Sequence, residues 1–126
     1  MNITNKTLRT CAREMGIKLN FQNKREVALF SDAIVFNSRR RSPEEKRAFW
    51  TSMLRKRGCN ARSIWNAASN GRGRRVGKLI RTMQDAQEPN ALFRLSNKLR
   101  NIKCYELANM SHDLATRLVR KQKKSA

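Results

Sequence analysis

Acidic residues are scarce in this chain. Nine Asp and Glu stand against 29 Lys and Arg, and there is one histidine, His112. Metal-assisted enzymes commonly gather carboxylates around their ions, and no such gathering shows here. Glu44 and Glu45 sit at a helix start, where the helix dipole accounts for them, while Asp85 and Glu88 point away from any basic stripe. His112 and Asp113 are neighbours, so on a helix they diverge by about 100° and make a poor acid–base pair. Three cysteines, Cys11, Cys59 and Cys104, are odd in number and widely spaced, with no Cys-x-x-Cys. Neither a disulfide framework nor a zinc site follows from that pattern. Arg55-Lys56-Arg57 could lower the pKa of Cys59, but no second histidine exists to complete a dyad. Long apolar runs are missing too. Val27–Phe36 is broken by Ser31 and Asp32, too short for a bilayer, and Met1–Asn5 has no apolar signal-peptide core. The expectation is a cytoplasmic, non-catalytic protein with reduced thiols, no metal, no cofactor and no membrane partner.

What the chain does have is positive charge. Its 126 residues carry a formal +20 and an isoelectric point near 11.5. Self-repulsion on that scale opposes a compact state unless a polyanion neutralises it. Eighteen of the 29 basic residues are Arg, the side chain that forks onto phosphate and stacks on bases. Nucleic acid, DNA or RNA, is therefore the expected partner, ahead of an anionic membrane surface. The length suits one domain with one core.

Apolar periodicity is helical nearly throughout. Thr4 can cap a helix whose Leu8, Cys11, Ala12 and Met15 share a stripe, ended by Gly16. Ile17–Phe21 alternates but has no partner strand, which makes it an extended connector. Asn23 and Glu26 resemble a capping box for a helix to about Asn37 that is apolar nearly all round. Ser42-Pro43-Glu44-Glu45 is a strong helix start for a segment carrying Phe49, Trp50, Met53 and Leu54, stopped by Gly58. Asn60 opens a short helix with Ile64, Trp65 and Ala68; Trp50 and Trp65 are expected in the core. From Arg74 to Gln87 the apolar arc is Val76, Leu79, Ile80, Met83 and Ala86. Leu92, Leu95, Leu99 and Ile102 mark another helix, and Leu107 to Val119 a last one ending near Arg120. The expected fold is all-α: a single compact bundle of about seven short helices over residues 1–120, with no sheet, and a basic disordered tail over 121–126.

Charge concentrates in the middle. Arg39 to Arg81 contains 14 basic residues and two acids. Arg74, Lys78 and Arg81 fall at i, i+4 and i+7 opposite the apolar arc, a spacing that can follow a phosphate chain. Asn70-Gly71-Arg72-Gly73-Arg74-Arg75 is expected to be a loop whose glycines admit phosphate to backbone amides. It is not a P-loop: five residues separate Gly71 from Gly77-Lys78, and Leu79 stands where Ser or Thr would hold magnesium. The expected nucleic-acid contacts are Arg39, Arg40, Arg41, Arg72, Arg74, Arg75, Lys78 and Arg81. Lys6, Arg9 and Arg13 form a secondary stripe on the first helix.

Three settings suit such a surface. Ala68-Ser69-Asn70-Gly71, Arg74-Arg75-Val76-Gly77-Lys78-Leu79-Ile80-Arg81, Leu92 to Leu99, Cys104-Tyr105-Glu106-Leu107 and Asp113-Leu114 together resemble the small subunit of CRISPR Cascade-type effector complexes, over the C-terminal half of the chain. The aromatic that follows the late Asp-Leu in that family is replaced here by Ala115-Thr116. The resemblance implies a non-catalytic helical subunit in a ribonucleoprotein complex for antiviral defence. It would be present in several copies and line a groove for nucleic acid. Alternatively, Ala12-Arg13-Glu14-Met15-Gly16-Ile17 has the residues of a helix-turn-helix turn, although the following connector is too long and the next helix too apolar. A basic ribosome- or nucleoid-associated protein is the third setting. In all three, far-UV circular dichroism should show helix over more than roughly 55% of residues, against the third usual in globular proteins. Substantial strand signal would exclude the architecture.

Overall fold

A computed structural model of the chain describes residues 4–55 and 60–125. It contains seven α-helices: α1 (Asn5–Glu14), α2 (Lys24–Asn37), α3 (Pro43–Leu54), α4 (Ala61–Ser69), α5 (Gly71–Asp85), α6 (Pro89–Asn101) and α7 (Tyr105–Ser125). No strand occurs among the described residues, so the chain is all-α as expected. The expected stop at Gly58 and the Cys59 thiol lie outside the described residues. The helices form two compact units, Met1–Lys78 and Leu79–Ala126, and the division falls inside α5.

In the first unit α2 is the central helix, packed against α1 and α4, with α3 also against α4. Its Leu29, Phe30, Ala33 and Ile34 are all buried. Short polar contacts fix where the helices start. Thr4 Oγ1 accepts from Thr7 N at 3.3 Å at the head of α1. At α3, Ser42 Oγ accepts from Glu45 N (3.2 Å) while Ser42 N donates to Glu45 Oε1 (3.3 Å), a reciprocal box. At α2 the expected box is only half made. Asn23 Oδ1 accepts from Glu26 N (3.3 Å), but the Glu26 carboxylate turns away and takes Asn20 N (3.4 Å). Burial of Glu26 explains this, because it caps the connector rather than its own helix. Between α1 and α2 the chain turns at Gly16 (φ +75°) and runs without helix from Met15 to Asn23. A helix-turn-helix turn is much shorter.

The expected glycine-rich loop is helix. Asn70 alone separates α4 from α5, closing one helix and opening the next. Its N–H donates to Asn66 O (3.2 Å), its side-chain oxygen accepts from Gly73 N (2.6 Å), and its carbonyl accepts from Arg74 N (2.9 Å). Gly73 is glycine because the first turn of α5 passes close to the end of α4: a Cβ there would run into the Ala67 carbonyl oxygen and come within 2.9 Å of the Ala68 carbonyl. One turn on, a Cβ at Gly77 would lie 3.3 Å from Ile34 O and 3.9 Å from Ser38 Cα.

The second unit is built on α6 and α7. Ser96 Oγ donates to Ala108 O (2.9 Å) and Ser111 Oγ donates to Leu92 O (2.8 Å). Those pairs step in opposite directions, so the helices are antiparallel. Leu92, Leu95 and Leu99 of α6 face Cys104, Leu107, Ala108 and Ala115, all buried. Lys103 makes the reversal with φ 64°, and Cys104 N reaches back to Leu99 O (2.9 Å). α7 continues through Ser125 instead of ending near Arg120. Lys and Gln are good helix formers, and Lys123 and Lys124 place cations on the negative end of the dipole.

The close α4–α5 contact has a direct test in chemical denaturation. Gly73→Ala should cost about 1–3 kcal/mol or more, since backbone must shift to admit the methyl. Gly71→Ala, where an added Cβ meets open space, should be neutral or stabilise by up to about 1 kcal/mol. In an open loop the two substitutions would behave alike.

Candidate nucleic-acid interface

Seating α5 on Gly73 and Gly77 turns its opposite side to solvent. Arg72, Arg74, Arg75 and Lys78 are all exposed, while Val76 and both glycines are buried. At 100° per residue, Arg74, Lys78 and Arg75 fall in that order on one arc beside Gly77. Ser38, against which Gly77 lies, is the first residue of Ser38-Arg39-Arg40-Arg41. The fold therefore brings the start of the arginine run after α2 against α5, and Arg39 and Arg40 are exposed.

Several of the expected contacts are otherwise engaged, Arg41 and Arg81 among them. Arg41 donates through Nη1 to Glu45 Oε2 (3.4 Å) and through Nε to Phe36 O (3.4 Å). Its guanidinium carbon also sits 5.1 Å from the Phe36 ring centroid. The Glu45 carboxyl is held below its ordinary pKa, first by its hydrogen bonds from the Ser42 backbone and hydroxyl and then by Arg41. A carboxylate whose pKa falls on folding stabilises the fold above the ordinary carboxylate range. That contribution disappears as pH drops through the lowered value. Farther along α5, Arg81 is half-buried and pairs with Asp85 (3.7 Å). Part of its charge is thus answered within its own helix.

The secondary stripe on α1 is exposed at Lys6, Arg9 and Arg13. Arg9 lies over the Phe21 ring at 5.0 Å. Arg72 Nε donates to Glu14 O (3.3 Å), so the first turn of α5 meets the last turn of α1 beside Arg13. Asn70 Oδ1 already occupies Gly73 N, so phosphate contact here falls to side chains rather than to a backbone nest.

Trp50 and Trp65 are not core residues; both are half-buried. They belong to a set of four rings. Phe36 stacks on Phe49 at 4.2 Å and 11°, Phe49 lies 5.7 Å from Trp65, and Trp65 lies 5.5 Å from Trp50. Apolar periodicity shows which side of a helix these rings take but not how deep they go. The available signal was the basic residue one turn before each tryptophan: Arg47 before Trp50 and Arg62 before Trp65. Among the described residues no three His, Cys, Asp or Glu side chains gather as a metal site would require, and no helix is long and apolar enough to cross a membrane. Compared with family models, curated proteins and solved structures, the chain matches none.

The arginine run should divide in function. Arg40→Ala should flatten the salt dependence of nucleic-acid binding by about one unit and leave the melting temperature unchanged or slightly raised. Arg41→Ala should lower the melting temperature, because Glu45, Phe36 O and the Phe36 ring lose their partner, and should change the salt slope less.

Proposed function

We propose that this protein is a non-catalytic nucleic-acid-binding protein that grips phosphate backbone with the exposed cations of its first unit. The observation that carries this is the contact of Gly77 with Ser38, which sets the start of the Arg39–Arg40 run against the helix that bears the exposed Arg74, Arg75 and Lys78. Between Glu45 and Asp85 the sequence has no acid at all. An ordinary solvated face mixes signs; this one offers a polyanion mainly cations. The α5 cations stand on a helix held to backbone, so little ordering entropy is lost when they engage.

The resemblance to effector-complex small subunits supports a setting in a nucleoprotein assembly. The Arg-rich helix of that pattern is α5, and its leucine helices are α6 and α7. On α7, Tyr105 and Leu114 are 57% and 36% exposed, surfaces suited to other subunits or further copies of this chain.

Binding followed by fluorescence anisotropy against salt tests the proposal. Neutralising about five to eight phosphates gives a slope of log K on log salt of about −4 to −7 on duplex, and less on single strands. Replacing Arg74, Arg75 and Lys78 together with Ala should flatten that slope by up to about three units. The fold should survive, because Ala favours helix and repulsion falls. The matched control, Lys6, Arg9 and Arg13 to Ala, removes the same charge elsewhere and should lose much less. Equal losses would show a diffuse basic surface, not a site.

A further inference from the structure

From the ring cluster of the first unit we infer that the nucleic acid is bound with its bases unpaired, stacked against Trp50 and Trp65 of that cluster. This rests on the nucleic-acid reading above and names its substrate class.

The four rings come from the end of α2, the middle of α3 and the middle of α4. None is fully buried, and the patch extends along α3 to Leu54, which is 54% exposed. Only Met53 of α3 is buried. A helix that gives up one core residue while keeping two large aromatics partly exposed is poorly explained by packing alone. The surroundings say what covers them. Arg39 and Arg40 lead into the Arg41 guanidinium that already lies over Phe36. Arg47 and Arg62, both exposed, stand one turn from Trp50 and Trp65.

A second copy of this chain would set these cations against their own likeness, which is repulsive. A single strand supplies both complements at once: phosphates for the arginines and π-faces for the rings. In a duplex those faces are already stacked on one another, so the cluster would gain nothing from it.

Both tryptophans of the chain are in the cluster, so tryptophan emission reports on it alone. The full-length protein is titrated with oligo(dT), with oligo(U), with an abasic strand of the same phosphate count and with a duplex, each of about 16 nucleotides. At least one base-bearing strand should quench the emission and bind about 5- to 100-fold more tightly than the abasic strand. Whichever of dT and U does so identifies DNA or RNA as the source of the bases. The duplex should bind through charge without quenching.

Trp50→Ala should remove most of the base-dependent gain while keeping the salt slope, and Trp50→Phe should restore part of it. Should the Ala variant fail to fold, the wild-type comparison with the abasic strand decides alone. Equal affinity for base-bearing and abasic strands, or equal quenching by duplex, overturns the inference while leaving phosphate binding intact. Emission that shifts with protein concentration as a dimer forms overturns it in favour of self-association. Binding to no strand at all refutes the nucleic-acid reading itself.

Discussion

α5 meets its neighbours backbone to backbone. At Gly73 the approach is so close that the hydrogen of glycine is the only side chain that fits against the Ala67 and Ala68 carbonyls. At Gly77 the same face touches Ile34 and Ser38. Those two glycines fix the rotation of α5 about its own axis, which sends Arg74, Arg75 and Lys78 outward. They also set that helix against the residue where the Arg39–Arg41 run begins. Two basic segments more than 30 residues apart in sequence are thereby brought together through Gly77 and Ser38. Glycine in a helix costs about 0.5–1 kcal/mol relative to alanine, and that cost is offset here by the packing it permits.

The few acids are spent locally. Glu45 closes the start of α3 and holds Arg41, Asp85 answers Arg81, and buried Glu26 caps the connector through Asn20. None of these three lies between Arg47 and Lys78. On the proposed reading, an external polyanion neutralises that surface. Its charge is a latent cost to the isolated fold and a source of affinity once a polyanion arrives, since each phosphate engaged releases condensed counterions.

Features controlled within one turn of chain were legible in the sequence: Thr4, Asn23 and Ser42 cap as their positions suggest, and Pro43 begins its helix. Features controlled by distant chain were not. A glycine needed for close helix approach carries the same local signature as a glycine needed for a turn. Gly71-Arg72-Gly73 therefore read as a loop although Ala67 and Ala68 make it a helix start. Trp50 and Trp65 lie on apolar stripes, but a stripe gives direction and not depth. Arg41 counted as one more cation, whereas Glu45 at i+4 and the Phe36 ring commit it to the fold. The lysines after Arg120 read as a disordered tail because their composition is polar, yet they extend α7. The joining of Ser38 to α5 depends on a contact no local pattern records, although the arginines beside it stood out by charge.

The central claim is that a polyanion completes this surface, and it is tested most directly by isolating the protein from its host without nuclease. At low ionic strength it should emerge with nucleic acid bound, which high salt strips away, and the recovered strands should then rebind the purified chain. A protein that leaves the host free of nucleic acid at low ionic strength, and that fails to take up host strands when they are added back, would contradict the account.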